Sequence, residues 1–272
     1  MSDDLSPDSI SRFIRGRFGT PVRYFEEIGS TNDEAMRWAT MEQAPEGAVV
    51  VTDHQVAGRG RWGRTWFSEP GTAIQFSLIL RPRLPVDVLG LLTTALGLAC
   101  AEGVEIAAGV RCWLKWPNDV VIADRKLAGI LVESRVTGHL MDVAVAGMGI
   151  NVRRPVSEVP PELSARATDV DQEIAAAKSD KHPERAEILG WVLDAFERLY
   201  VRLGSGEGAA DLIDRATARS QVIGRDVTVR VADGSTFEGK AERLLPSGAL
   251  EVQVNGEHRA VHVGEVAQVR LT

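Results

Sequence analysis

The spacing of hydrophobic and polar positions changes several times along the chain, and each change predicts an element. Ile10, Phe13, Ile14 and Phe18 recur among Ser, Asp and Arg, which predicts a short amphipathic helix within residues 1–20. Tyr24-Phe25 leads into Gly29-Ser30-Thr31-Asn32, where Thr31 with Glu34 three residues on reads as a capping box opening a helix to about Gln43. The β-branched run Ala48 to Thr52 and the stretch Ala73 to Leu80 (AIQFSLIL) predict two buried strands, the second ended by Arg81-Pro82. The longest apolar stretch starts at Val88 and predicts a buried helix to Glu102; Thr93, Thr94 and a short span argue against a bilayer crossing. Arg111 to Trp116 reads as a strand stopped by Pro117, whose missing N–H ends the ladder. Val120–Ala123 and Lys126–Glu133 predict a hairpin turning at Asp124-Arg125, and Leu140–Ala146 a further strand running into Gly147-Met148-Gly149-Ile150-Asn151-Val152. Residues 153–185, rich in proline and charge, predict an irregular segment with one or two short helices. Ile188, Leu189, Val192, Leu193, Phe196, Leu199 and Tyr200 mark one face of an amphipathic helix, and Asp211–Ser220 continues helical.

Near Gln221 the pattern becomes short and alternating (VTVRV, ALEVQV, RAVHV, VAQVRL), broken at Asp233-Gly234, Ser247-Gly248 and Asn255-Gly256. Four or five short strands on tight turns predict a small β-barrel. We therefore expect an α+β domain over residues 1–219 and a barrel domain over 220–272, a division that 272 residues allow.

Composition narrows the function. The formal charge of −7 argues against a general nucleic-acid binder, which is basic over a whole face. Cys100 and Cys112 form no C-x-x-C, so neither a disulfide framework nor a zinc site is expected, and the reducing cytoplasm is the default. The acidic start Met1-Ser2-Asp3-Asp4 does not read as a secretory signal.

Against that acidic background, Gly58-Arg59-Gly60-Arg61-Trp62-Gly63-Arg64-Thr65-Trp66 packs three arginines, three glycines and two tryptophans into one stretch. Glycine permits close backbone approach and arginine presents a planar fork to carboxylate or phosphate, so the stretch suits a mobile loop closing over a small anion. A solvated basic loop is the competing reading. Lys115-Trp116-Pro117-Asn118-Asp119 sets a cation, an amide and a carboxylate at a strand end, and Lys126 opens the next strand before Leu127-Ala128-Gly129. Singly, each lysine reads as a surface residue and Asp119 as a turn former; only the set points to a site. The P-loop, G-x-S-x-G and H-E-x-x-H patterns are missing, and Gly147-Met148-Gly149 lacks the third glycine of a dinucleotide fingerprint. With five scattered histidines, what fits is chemistry driven by charge neutralisation, such as a carboxylate attacking a phosphate to form an adenylate.

The arginine–glycine loop, Lys115-Trp116-Pro117-Asn118-Asp119, Lys126 to Glu133 and Gly147 to Val152, in that order, resemble the biotin–protein ligases, and the likeness spans roughly residues 22–272. The resemblance implies a mixed sheet with flanking helices, related to class II aminoacyl-tRNA synthetases, followed by an SH3-like barrel. It implies that biotin and Mg-ATP form biotinyl-5′-AMP, and that a lysine of a biotin carboxyl carrier domain then takes the biotin. It places Ser30, Thr31, Asn32 and Gln55 around biotin, although Ser-Thr-Asn reads equally as a helix cap. Gly58, Arg59, Gly60 and Arg61 would close over the adenylate; Arg64 and Trp66 would face the nucleotide, with a core tryptophan as the alternative for Trp66. Lys126, beside Gly129, would lie between carboxylate and α-phosphate. Asn118 and Asp119 would serve phosphate or magnesium, Asp119 orienting the acceptor lysine as well. Asn151 and, at the end of the barrel, Arg270 would reach the nucleotide. We expect a monomer or homodimer in the cytoplasm, without nucleic-acid or membrane partners. Some members begin with a winged helix-turn-helix and act as repressors; Gly29-Ser30-Thr31-Asn32 comes too early for that, so a ligase without repressor role is expected. A lipoate–protein ligase, an RNA-binding module and a biotin-sensing scaffold without activity are the competing readings.

Overall fold

The computed structural model describes residues 4–155, 164–203, 205–231, 233–262 and, as backbone, 264–270. Its larger sheet has seven strands in the order β1-β2-β3-β7-β6-β5-β4. These are β1 (Val22–Ile28), β2 (Val49–Gln55), β3 (Ala73–Leu80), β4 (Trp113–Lys115), β5 (Asp119–Ile122), β6 (Arg125–Thr137) and β7 (Leu140–Asn151). β1 and β2 pair in parallel and every other neighbour is antiparallel, so the sheet is mixed, as expected. β1 escapes a pattern reading because VRYFEEI is half-exposed on both faces. The hairpin turns at Ala123-Asp124, both left-handed at φ 47° and 67°, rather than at Asp124-Arg125. The strand expected to end at Ala146 continues: β7 carries its ladder through Asn151.

Alternation splits the residues of β3 between two environments. Ile74, Phe76, Leu78 and Leu80 join the main core with α3 (Leu89–Ala108) and α5 (Arg185–Leu203). On the other face Ile79, with Val50, Val143 and Val145, packs under α2 (Thr31–Met41) through Ala35, Trp38 and Ala39. α1 (Pro7–Phe13) is shorter than its pattern predicts, and α4 (Val170–Ala176) is the short helix seen in the irregular segment, of which 156–163 lie outside the described residues. α3 outruns its expected end: its 20 residues are by length and composition enough to cross a membrane, but 72% of its most apolar window is buried inside the protein. It stops at Gly109, whose φ of 73° is the left-handed cap that glycine adopts without strain.

After α6 (Gly206–Ala218) come β8 (Asp226–Val231), β9 (Thr236–Leu244), β10 (Leu250–Val254), β11 (Glu257–Val261) and β12 (Gly264–Arg270). They form a second sheet in the order β11-β10-β9-β8-β12. β9 (TFEGKAERL) carries too many charges to read as a strand; among its side chains only Ala241 and Leu244 are buried. Ties run back to the first sheet: Gln221 N donates to Leu114 O (2.8 Å), and Trp116 Nε1 donates to Gly248 O (3.1 Å).

Candidate active site

Beyond the N-terminus of α2 the sheet face it covers is no longer apolar. The aligned residues of six strands read Thr52, Gln75, Gly149, Gly129, Asp119 and Lys115 across β2, β3, β7, β6, β5 and, at the far edge, β4. One step along, Ser77 pairs with Gly147 and Gly147 with Leu131. Gly147 and Gly149, two apart on one strand, therefore share a face and leave it without side chains. The result is a polar floor with a bare strip, ending at the first turn of α2, whose N–H groups have no partner within the helix.

The start of α2 is built into that floor. Its N-cap is Ser30, buried and making no side-chain cap bond. The expected capping box does not form, because Thr31 is already the first helical residue and Glu34 turns to Arg23 and Arg37. The N–H of Thr31 instead donates to Gln55 Oε1 at 2.8 Å, and its hydroxyl donates to the same oxygen at 3.1 Å. Asn32 Nδ2 donates to Glu133 Oε2 (2.6 Å) and Leu131 O (3.2 Å), and Ser77 Oγ lies 2.6 Å from Asn32 Oδ1 and 2.8 Å from Thr31 Oγ1. Ser77, Gln75 and Glu133 were missed from sequence; two polar residues inside the apolar β3 run were the available signal.

A Cβ at Gly147 would fall inside Asn32 Oδ1. Asn32 cannot retreat without breaking its bonds to Leu131, Glu133 and Ser77. Gly147→Ala is thus expected to destabilise the fold by about 1–3 kcal/mol and to weaken ligand binding at the α2 end. Equal unfolding midpoints and equal ligand affinity for variant and parent would refute the fit.

The arginine–glycine loop folds back on itself. Trp66 N donates to Gly58 O (3.0 Å), Gly60 N donates to Arg64 O (2.7 Å), and Arg59 and Thr65 bridge. Trp62 sits at its tip in the left-handed region (φ 61°, ψ 34°), with the Arg230 guanidinium of β8 5.6 Å from its ring. Arg59 grips Asp33 in the first turn of α2 with two bonds, 2.5 and 2.6 Å, and Glu133 lies 3.6 Å away. The guanidinium holds the Asp33 carboxyl below its usual range against partial burial, and Asp33 in turn raises the Arg59 pKa. This ion pair is exposed enough to be weak, and Arg59 can exchange it for a ligand anion. Arg61 is half-buried and Arg64 exposed.

Trp66 does not enter the core; its indole lies on the bare strip. A Cβ at Gly149 would strike its five- and six-membered rings, and one at Gly129 would come within 3.1 Å of Cζ3. Its Nε1 is buried without a hydrogen-bond partner among the described residues. Lys126 Nζ reaches over Gly129, 5.8 Å from the Trp66 centroid and 2.7 Å from Asp119 Oδ1. That contact is an ion pair without hydrogen-bond alignment, so Asp119 Oδ1 keeps accepting capacity. Asn118 and Asn151 act on backbone. Asn118 Nδ2 donates to Ile130 O (2.9 Å), and Asn151 Nδ2 donates to Lys126 O (3.4 Å) and Thr168 O (3.1 Å). Lys126 N also donates to Arg166 O (2.7 Å) and Thr168 N to Lys126 O (2.9 Å), so residues 166–168 clamp the lysine from outside the sheet. Arg270 pairs with Asp226 through its backbone, and its side chain lies outside the described residues.

No cluster of three metal-binding side chains among the described residues includes Asp119. A lone carboxylate beside a lysine does not make an all-protein cage; it does suit magnesium that arrives on substrate phosphates. The set of three that does exist, Glu242, Glu251 and His258, lies on the second sheet, where Arg243 already binds Glu251.

Residues 24–151, which hold most of this site, match the family model for the biotin/lipoate A/B protein ligase family. The chain is 33% identical over 280 residues to a biotin–[acetyl-CoA-carboxylase] ligase of Mycobacterium tuberculosis, covering 98% of each. It is 34% identical to the bifunctional ligase/repressor BirA of Bacillus subtilis, over 91% of this chain and 74% of that one. Among solved structures, the biotin protein ligase of Aquifex aeolicus in complex with biotin and ATP superposes with a TM-score of 0.76 at 26% identity, over 93% of this chain and all of that one. Likeness at this level along nearly the whole length leaves one assignment: the chain belongs to the biotin/lipoate A/B protein ligase family, among its biotin–protein ligases.

Proposed function

We propose that the floor beyond α2 is where this ATP-dependent ligase activates biotin and passes it to a carrier lysine. The observation that carries the reading is Lys126, held between Asp119 and Trp66 over a strip to which Gly129 and Gly149 add no side chain of their own. Biotin's carboxylate and the α-phosphate of ATP are both anionic, and a fixed cation between them lowers their repulsion and stabilises the charge that builds up. The carboxylate oxygen bonds to the α-phosphorus, the bond to the β-phosphate breaks, and pyrophosphate leaves. The lysine amine of a biotin carboxyl carrier domain then attacks the acyl carbon; Asp119 accepts its proton and AMP departs.

In this reading Ser30, Thr31, Asn32 and Gln55 hold the biotin head at the N-terminus of α2. Gly58, Arg59, Gly60 and Arg61 cover the adenylate, Arg64 and Trp66 face the nucleotide, and Asp119 meets magnesium carried by the phosphates. Asn118 and Asn151 act chiefly by fixing β5 against β6 and Lys126 in its place; Arg270 would approach from the barrel. The catalytic unit runs over 1–219, with a core related to class II aminoacyl-tRNA synthetases, and an SH3-like unit over 220–272. Two buried free cysteines agree with work in the cytoplasm. The partner is a carrier domain of acetyl-CoA carboxylase or a related enzyme.

The test is mass spectrometry of a biotin carrier domain incubated with the protein, biotin and Mg-ATP. A gain of one biotin on the carrier lysine is expected. Modification with lipoate but not biotin would move the protein to the neighbouring branch, and no transfer of either would sink the reading.

A further inference from the structure

Gln75 is fully buried in the middle of β3, and no role assigned so far uses it. Its Nε2 donates to Asp53 O at 3.1 Å, and its Oε1 accepts from Gln55 Nε2 at 2.9 Å. Gln55 Oε1 in turn accepts from the N–H of Thr31 at 2.8 Å. The chain of bonds begins at a backbone carbonyl, which only accepts, and ends at a backbone N–H, which only donates. Between such ends two amides have one consistent orientation; turning either one sets nitrogen against N–H or oxygen against oxygen.

We propose that Gln75 is a positioning residue that fixes the amide of Gln55, carbonyl toward the N-terminus of α2 and amine toward the sheet, for a ligand head bearing its own donors and acceptors. This rests on the reading that biotin, whose head is a cyclic urea, binds beside Gln55. A urea presents N–H and C=O groups a few ångströms apart, so an amide turned the wrong way in the wall would set donor against donor and acceptor against acceptor. The anchor is itself rigid. The carboxylate of Asp53, whose carbonyl starts the chain, takes Arg185 Nη1 at 2.6 Å and the N–H of Gly71 at 3.1 Å. Burial keeps Gln75 off the ligand, so it acts through Gln55 alone.

The experiment is a double-mutant cycle on the full-length enzyme, Gln75→Met and Gln55→Ala singly and together, with the biotin Kd from calorimetry and the KM for ATP beside it. Gln75→Met removes the acceptor for Gln55 Nε2, leaving Thr31 alone to orient the amide, and is expected to raise the biotin Kd about tenfold while the KM for ATP holds. In the Gln55→Ala background it is expected to change the Kd little, because nothing remains to orient. The same penalty in both backgrounds, or no penalty in either, overturns the positioning role. A matching rise in the KM for ATP also overturns it, since that marks general damage to the site. Gln75→Leu, which likewise removes the acceptor for Gln55 Nε2, carries the test with the same expected rise if Gln75→Met does not fold. A parent enzyme that fails to bind biotin sinks the underlying reading instead.

Discussion

Lys126→Ala is expected to slow biotinyl-adenylate formation by about 10²–10³-fold, the usual cost of removing one preorganised group that meets developing charge. Its ammonium is 2.7 Å from Asp119 Oδ1 and stands over Gly129 at the bare strip, and its backbone is clamped by Asn151, Arg166 and Thr168. Alanine keeps the clamp and removes only the charge, which leaves two substrate anions and the Asp119 carboxylate facing one another. Biotin alone, held at the α2 end, is expected to bind the variant with little change. Rapid-quench measurement of pyrophosphate release under single-turnover conditions separates the steps. Unchanged release with slow transfer to the carrier would place Lys126 in the second step and overturn its assigned role. Loss of biotin binding itself would show that the variant had lost its floor rather than its cation.

How far the site could be read in the sequence depended on whether a residue acts by type or by register. The arginine–glycine loop, Lys126, Asp119 and the Gly147–Asn151 stretch were legible because unusual residues lie close together in the chain. The alternating strands of the second sheet were legible too, apart from the charged β9. Gln75 and Ser77 became visible only when β3 paired with β7 and set them beside Gly149 and Gly147. The capping box failed for a related reason: the N–H of Thr31, which Glu34 would have capped, is taken by Gln55, 24 residues away. Asn118 and Asn151, expected to touch ligand, spend their amides on the backbone of Ile130, Lys126 and Thr168. No local pattern announces such long-range bonds.

Arg185 was the least legible of all, placed at the edge of an irregular segment, and its replacement by methionine is expected to cost about 3 kcal/mol of stability. The side chain is 3% exposed. Its Nε donates to Asp4 Oδ1 (2.7 Å) and its Nη1 to Asp53 Oδ1 (2.6 Å) and Ala73 O (3.0 Å), so it ties the N-terminal segment to the ends of β2 and β3. Burial works against the guanidinium charge, yet the bonds to Asp53 and Asp4 outweigh it and leave its pKa raised. Methionine fills the space but takes Arg185 from both carboxylates; Arg153 on Asp4, the Gly71 N–H on Asp53 and contact with water keep the cost toward the low end of the range for a broken buried pair. Burial alone would raise the Asp4 pKa; Arg153 and Arg185 reverse that and hold it below the usual value. A depressed folded-state pKa gives stability that is complete above the unfolded value, ~4 for aspartate, and is lost as pH falls through the lower folded one. Parent and variant should therefore differ most near neutrality and converge in acid. Urea unfolding at several pH values measures this; a gap that is absent at neutrality, or that widens in acid, would contradict it. The variant should also bind biotin more weakly, because Asp53 loses the partner that fixes its carbonyl beneath Gln75.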